Sequence, residues 1–472
     1  MIAGLKPYSE YRDSGVAWLG SIPASWETAR TKTCFKLSVE KSGDNHGKEL
    51  LSVYTHIGVR PRKDLEERGN KATSTNDYWV VRKGDIVVNK LLAWMGAVGV
   101  SHFDGVTSPA YDILRPIKTL NPDFYHLVFR TKLYLHVFKS RSRGIMDMRL
   151  RLYFDQLGQI PSICPPIDDQ DAIVQFMDNA NRKLDRFIRT KKMLVALLNE
   201  QKQAIIHRAV TTGLNPAVRL RPSGVPWLGD IPEHWGVARV KQCAQRISKG
   251  TTPSTEKREV LESGPVRFIK GENINDGRIA GGPRSFIDEK TDAILNRSRL
   301  RENDVLFVIA GTLGKTAVVT GEVLPANTNQ AIAFVRPNGH VLPQFLALWL
   351  QSSRIQDLIH LAAVQSAQPN LSMADLGNFT CLIPPRREQS DIVDFVRSET
   401  EPISNALART VREMALAQEY RMRLTTDVVT GKLDVRAAAK PLGLPPDGEP
   451  YRNNDLANEG VLEEPEIEES HE

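Results

Sequence analysis

Apolar residues recur at alternating steps of three and four along two stretches of the chain. The first carries Ile173, Phe176 and Met177, Ala180, Leu184, Phe187 and Ile188, Leu194, Leu198 and Ile205. The second carries Ile392, Phe395 and Val396, Ile403, Leu407, Val411, Met414, Ala417, Leu424 and Val428. That spacing draws one apolar seam along each of two helices. The first stretch, Asp169 to His207, predicts a helix of about 39 residues and about 60 Å, at about 1.5 Å per residue. Asp168 is placed to cap its start. Pro402 lies inside the second stretch and predicts a kink or a break, because proline lacks a backbone donor. Helices this long are marginal alone. The economical partner for each is the other, in an antiparallel coiled coil whose seam uses Phe176, Leu184, Leu194, Leu198, Leu407, Met414 and Leu424.

Ahead of each helix the pattern changes to short Val- and Ile-rich runs bounded by Gly, Asp, Asn and Pro, which read as strands. They are Tyr78 to Val81, Asp85 to Val88 and Tyr111 to Leu114, then Val266 to Ile269, Asp304 to Ile309, Ala317 to Thr320 and Ala331 to Val335. Shorter helical patterns follow at Phe124 to Val137 and Pro343 to Ile359. The fold class is α+β, with strand-rich domains joined to long helices.

The order repeats. Ser14 to Arg30 reads SGVAWLGSIPASWETAR, and Ser223 to Arg239, 209 residues on, reads SGVPWLGDIPEHWGVAR. Cys34 and Cys243 keep the same spacing. Leu157 to Gln170 reads LGQIPSICPPIDDQ, and Leu376 to Gln389, 219 residues on, reads LGNFTCLIPPRREQ. Both helices end on related tails, Ala209 to Gly213 and Val428 to Gly431. Shared framing around different middles is a tandem internal repeat: one scaffold carrying two surfaces. The boundaries expected are 1–167 for a first recognition domain, 168–213 for its helix, 214–385 for a second domain, 386–435 for its helix, and 436–472 for an acidic, disordered tail. The near-identical tryptophan motifs suit a fold-specifying latch better than a reading surface, because two different targets need different reading residues.

Charge sharpens this. The chain carries a net +6, but from Asp447 onward ten acidic residues face one basic, leaving about +15 on the preceding body. A basic body is compatible with a polyanionic partner. Met1 to Gly20 lacks the basic-then-apolar order of a secretory signal. No apolar run is long enough to span a membrane. The four cysteines are far apart in sequence, without metal-site spacing. A reducing cytoplasm and no membrane are expected.

Catalytic motifs fail on spacing. Gly311-Thr-Leu-Gly-Lys-Thr316 lacks the upstream glycine of a phosphate loop, because Ile309 stands there. Pro165-Pro166 and Pro384-Pro385 follow Cys164 and Ile383, which cannot orient an amine for methyl transfer. Ile287-Asp-Glu-Lys290 is a faint echo of a nuclease motif without an upstream carboxylate, and reads as a solvated turn. No metal site and no catalytic residue are assigned.

The doubled openings (Trp18 to Trp26 and Trp227 to Trp235), the doubled closings (Leu157 to Gln170 and Leu376 to Gln389) and the two long helices together resemble the specificity subunits of type I restriction-modification systems. The resemblance covers about residues 14 to 435. It implies two target recognition domains, each reading one half of an asymmetric, two-part site in double-stranded DNA. It implies that the paired helices set the spacer and dock two methyltransferase subunits, with restriction/translocase subunits joining them. S-adenosylmethionine, ATP and Mg would belong to those partners, and this chain would need no cofactor. The rival readings are a DNA-binding enzyme with its own nuclease or transferase, and a scaffold that grips protein alone.

If DNA is read, phosphate contacts come from Lys and Arg, and base contacts from Asn, Gln, Arg and Thr in loops. In the first domain the candidates are Arg60, Arg62, Lys63 and Arg68 on one basic strip, Lys90 after a strand, and Arg141 and Arg143 in a Ser/Arg/Gly loop. In the second they are Lys249, Thr251, Lys270, Asn273, Lys315, Asn327 and Gln330, with Gln365 in the loop equivalent to Arg141 to Gly144.

Overall fold

The computed structural model describes residues 5–43, 47–55, 57–64, 77–144, 150–364 and 370–442. They fall into two compact units. One is Met1–Lys191 together with the chain from Arg412 onward, and the other is Lys192–Val411. Each long helix is shared between them. The first, Ile167–Thr212, begins in the first unit and ends in the second; the second, Arg386–Val429, does the reverse.

In the first unit the strands Phe35–Ser38, Tyr111–Pro116, Ile86–Asn89 and Val98–Val100 form an antiparallel sheet in that order. In the second, Ala244–Lys249, Ile332–Pro337, Val305–Val308 and Thr316–Val318 repeat it. A three-stranded sheet of Ser285–Ile287, Val266–Ile269 and Ala326–Thr328 lies beside it. The expected helix over Phe124 to Val137 is two helices, Pro122–Phe129 and Lys132–Arg141. Thr131 caps the second, and the Arg130 guanidinium leaves the helix line to donate to Gly96 O (2.8 Å) and Val98 O (3.0 Å). Ser352 likewise divides Pro343–Gln351 from Ser353–Val364.

The two recurring motifs of each copy meet in space. Glu27–Arg30 pairs antiparallel with Pro161–Cys164, and Gly236–Arg239 with Thr380–Ile383. Both second tryptophans of the openings are buried, Trp26 at 0% and Trp235 at 1% exposure. Each indole donates to a carboxylate in the first turn of a long helix: Trp26 Nε1 to Asp169 Oδ2 (2.8 Å) and Trp235 Nε1 to Glu388 Oε2 (3.1 Å). The tryptophan carbonyls accept from Arg12 and Arg221. Asp85 with Arg115, and Asp304 with Arg336, form the same two-pronged ion pair inside each unit. Gln170 and Gln389 each donate to the carbonyl of the first proline of their Pro-Pro pair, Pro165 and Pro384, at 2.8 and 2.9 Å. The cysteines, distant in sequence, come together in pairs. Cys34 Sγ lies 3.6 Å from Cys164 Sγ, and Cys243 is hydrogen-bonded to Cys381; all four are free thiols. Hydrogen bonding from Cys164 holds the Cys34 thiol below the ordinary thiol range.

Within the first unit the beginning of the first helix runs antiparallel to the end of the second. Lys191 pairs with Glu413 (2.7 Å), and Asp185 pairs with Arg421. Within the second, Lys202 donates to Ser404 (2.9 Å) while Ile206 and Val210 share a core with Ile392 and Val396. Asp168 lies inside the first turn rather than capping it, because the helix already begins at Ile167. The second helix is continuous through Pro402, so the expected break is absent; its position inside the helix costs one backbone hydrogen bond. The seam is shallower than its spacing predicts. Leu424 is buried at 4%, Phe176, Leu184, Leu198, Leu407 and Met414 are half-buried, and Leu194 is 38% exposed. Two paired helices cover only one face of each other. Full burial comes where a helix also crosses its domain, at Ile173 and Met177, or Ile392 and Val396.

Candidate nucleic-acid interface

The strand register of the second unit gathers several sequence-predicted residues at one end of its main sheet. Lys249 closes its strand opposite Ala333, Ile332 pairs with Val308, and Val308 N donates to Lys315 O (2.9 Å). Lys249 and Lys315 therefore sit at the same end of the outer strands. Thr251 N donates to Thr328 O (3.1 Å), and Thr328 Oγ1 donates to Ile269 O (3.0 Å). This draws in Gln330 and the end of the strand before Lys270. A Cβ on Gly250 would lie 2.1 Å from Asn329 O, so the crossing of these segments requires glycine there. Lys249 and Gln330 are exposed, and Thr251, Lys270 and Lys315 are half-exposed. The Lys270 ammonium lies 3.8 Å from Glu272.

Two candidates on these segments serve the fold instead. Asn327 is fully buried, with its amide donating to Asp292 Oδ1 (3.0 Å) and Leu295 O (3.1 Å). Asn273 is 2% exposed and donates to Gly281 O (2.9 Å) and Pro283 O (3.1 Å), holding the loop that follows its hairpin. A buried amide must be satisfied internally, which leaves neither free to face a base.

The equivalent sheet end of the first unit is built the same way and dressed differently. Leu152 N donates to Lys90 O and Leu371 N donates to Ile309 O, so Lys90 and Ile309 occupy matching places. Lys90 turns inward, donating to Pro109 O (2.6 Å) with Asp112 at 3.7 Å; burial raises the Asp112 pKa against that cation. Arg60 is 9% exposed on the buried strand Gly58–Pro61, which removes it from the expected surface strip. Arg62 is half-buried and Lys63 pairs with Glu49. Arg141 is exposed, and Arg143 reaches Asp155 at 3.0 Å. The sequence reading passed over Arg151, which is exposed and bridged to Arg143 through the backbone; the arginines of Arg149-Leu-Arg151 were the signal for it. Arg68 and Gln365 lie outside the described residues.

The motifs set aside as non-catalytic resolve as ordinary structure. Gly311 to Lys315 turns between two antiparallel strands, and Asp288 caps a short helix by accepting from Thr291 N (2.6 Å).

Comparison with known proteins decides what this frame is. Residues 232–406 match the family model described as the type I restriction modification DNA specificity domain. The chain is 26% identical over 275 residues to the EcoBI specificity subunit of Escherichia coli, covering 55% of this chain and 58% of that one. It is 22% identical over 456 residues to the StySPI specificity subunit of Salmonella potsdam, covering 88% and 94%. The chain belongs to the type I specificity-subunit family. A solved structure described as showing complex assembly and conformational transition of the type I R-M system shares the fold. Its TM-score is 0.60 at 14% identity, over 86% of this chain and 98% of the other. In this specificity subunit the recurring openings are thus internal latches, and its halves differ at the sheet ends and in the smaller sheets beside them.

Proposed function

We propose that this chain reads DNA sequence in two places on behalf of bound methyltransferase subunits and performs no chemistry itself. The observation that carries the reading is the doubled frame. Latch, ion pair and glutamine clamp recur in both units, while the side chains at the matching sheet ends differ. A scaffold for one symmetric partner would have no need of different ends. An asymmetric two-part DNA site needs them.

The exposed candidates then divide by role. Arg141, Lys249 and Lys315 suit phosphates; Thr251 and Gln330 suit base edges. The helices support the partner half of the proposal. In the first unit they leave Phe187, Leu416, Tyr420 and Met422 exposed, and in the second Met193, Leu197, Phe395 and Val411. Apolar side chains in such number on a helix surface suit a covering protein. No described helix is long and apolar enough to cross a membrane; the reading puts the chain with DNA in the cytoplasm. S-adenosylmethionine, ATP and Mg would enter with the partners.

The test is to map modified adenines in cells with and without the gene, alongside its methyltransferase. A two-part motif that appears only with this chain is the expected result. Absence of any gene-dependent motif overturns the reading. Turnover of DNA by the purified chain alone would favour the enzyme alternative.

A further inference from the structure

The second unit holds a cleft of about 1240 Å³ away from the sheet end described above. Its floor is helical, from Lys202 and Ile206 on one helix and Val396 to Asn405 on the other. Its walls are the start of the strand Val266–Ile269, the hairpin around Gly277, and the loop Ala280 to Arg284. Besides Arg397, which pairs with Asp394, three guanidinium groups line it, those of Arg267, Arg278 and Arg284. None makes an ion pair or a side-chain hydrogen bond among the described residues. The carboxylates in the same cleft are Asp276, Glu322 and Glu401, and Asp276 is already taken by Lys202.

The cleft is held in shape. Asn273 fixes the loop carrying Arg284 by donating to Gly281 O (2.9 Å) and Pro283 O (3.1 Å). Gly282 is in the left-handed region (φ +60°), and a Cβ there would lie 3.0 Å from Asn273 Nδ2. The hairpin carrying Arg278 is tied to the helix through Asp276 and Lys202, and Lys202 also donates to Ser404 (2.9 Å). Arg267 projects from a strand paired on both sides, to Phe286 and to Ala326. Its pKa is lowered by burial and then by Arg284, so like charges have been brought together on a built surface without a counter-ion. That placement is unfavourable in the free protein and favourable once an anion is bound.

We propose that Arg267, Arg278 and Arg284 form a phosphate-binding wall that grips the DNA backbone, rather than base edges, in the second recognition domain. This rests on the DNA reading above. Arg267 and Lys270 stand three residues apart on one strand run, about 10 Å at about 3.3 Å per residue. An odd separation turns the two side chains to opposite faces, so the wall is a backbone contact separate from Lys270 and positions the duplex without selecting its sequence.

The test uses the full-length chain with its methyltransferase subunits and a fluorescent random-sequence duplex, titrated across a range of salt. The variant is Arg267→Gln/Arg278→Gln/Arg284→Gln. Each lost phosphate contact lowers the slope of log affinity against log salt by about 0.9, so the slope should fall by about 2 to 3. The two-part methylation motif should stay the same. Without DNA the variant should melt no lower than the parent, because no carboxylate loses a partner. An unchanged slope, with the parent binding steeply, overturns the arginine wall and leaves the DNA reading standing. A changed motif with an unchanged slope overturns it in favour of base reading. A parent complex that binds no duplex at any salt overturns the DNA reading and the wall with it.

Discussion

The two units differ least where the chain is buried and most where it is exposed. Trp26 and Trp235 donate to Asp169 and Glu388 at matching places, and Asp85–Arg115 is matched by Asp304–Arg336. At the sheet ends, Lys90 is turned inward in one unit, while Lys249 and Gln330 face outward in the other. The lesson is that a buried polar pair constrains both members at once, whereas a surface residue answers only to what it touches outside the molecule. Even the frame is not evenly buttressed, and its inequalities give ways to break the comparison.

The largest effect is expected at the ion pairs. Asp304→Ala leaves the half-buried Arg336 guanidinium without its carboxylate partner and should cost about 3–5 kcal/mol, read from urea unfolding. Asp85→Ala should cost less, because Arg115 keeps Glu40 at 3.2 Å. Equal losses would show that Glu40 contributes nothing.

Next come the glycines that end the helices. Gly431 has φ +75°, and a Cβ there would lie 2.4 Å from the Pro23 ring and 2.9 Å from Trp26. At Gly213 (φ +73°) the nearest atom is the Glu388 carboxylate at 2.9 Å, and the Trp235 ring stands off at 3.1 Å. A carboxylate can swing aside and a packed ring cannot. Gly431→Ala should cost about 2–4 kcal/mol and Gly213→Ala about 1–2 kcal/mol, from the left-handed backbone and from overpacking.

Removing one indole donor should be milder. Trp26→Phe leaves the buried Asp169 without that bond and should cost about 1.5–3 kcal/mol. Trp235→Phe should cost less, since Glu388 also has His234 at 2.8 Å. Thermal midpoints in the same buffer would rank the two.

A pH-dependent difference follows. Burial, then Asp123, raises Asp178 in the first unit to about 7, against the pull of Arg182 and His102. The matching position in the second copy is Arg397, paired with Asp394. A carboxyl raised in the folded state contributes stability below about pH 4 and loses it as pH climbs through about 7. Asp178→Asn should therefore stabilise the protein at pH 8 by about 1–3 kcal/mol and leave it unchanged at pH 4. Denaturant midpoints at the two values check the sign. Smallest of all, Lys249→Gln should leave unfolding untouched and lower the salt slope of DNA binding by about 1.

Much of this frame was legible in the sequence because it is written twice. The recurring motifs marked the latches, and the strand runs from Val266 to Ile269 and from Ala331 to Val335 fell within two residues of their observed limits. Side-chain roles were less legible. An asparagine that locks a loop, such as Asn273, and one that faces a base carry the same chemistry, and only burial separates them. Arg60 misled for the same reason. The cysteine pairs were hidden because the second partner shifts two places between copies, Cys164 matching Ile383 and Cys381 matching Ser162. Two positions along a strand return to the same face, so the contact survives although the alignment does not. The depth of the helical seam could not be read from its period, because period says which face turns inward and not what waits there.

Each tryptophan latch closes on the end of the helix that began in the other copy: Gly431 against Trp26, and Gly213 against Trp235. In the second unit the chain runs on directly from that helix end to the strand Leu220–Pro222. In the first, the same junction is made without a covalent link, by Asp434 N donating to Lys6 O (2.8 Å). The same junction is thus made once through the chain and once through a hydrogen bond. A circularly permuted polypeptide opened between Gly213 and Leu220, and joined by a linker from beyond Ala439 back to Leu5, would keep both latches and the buried Val435 and Ala439. A polypeptide of one copy alone would lack the helix end against which its latch tryptophan packs.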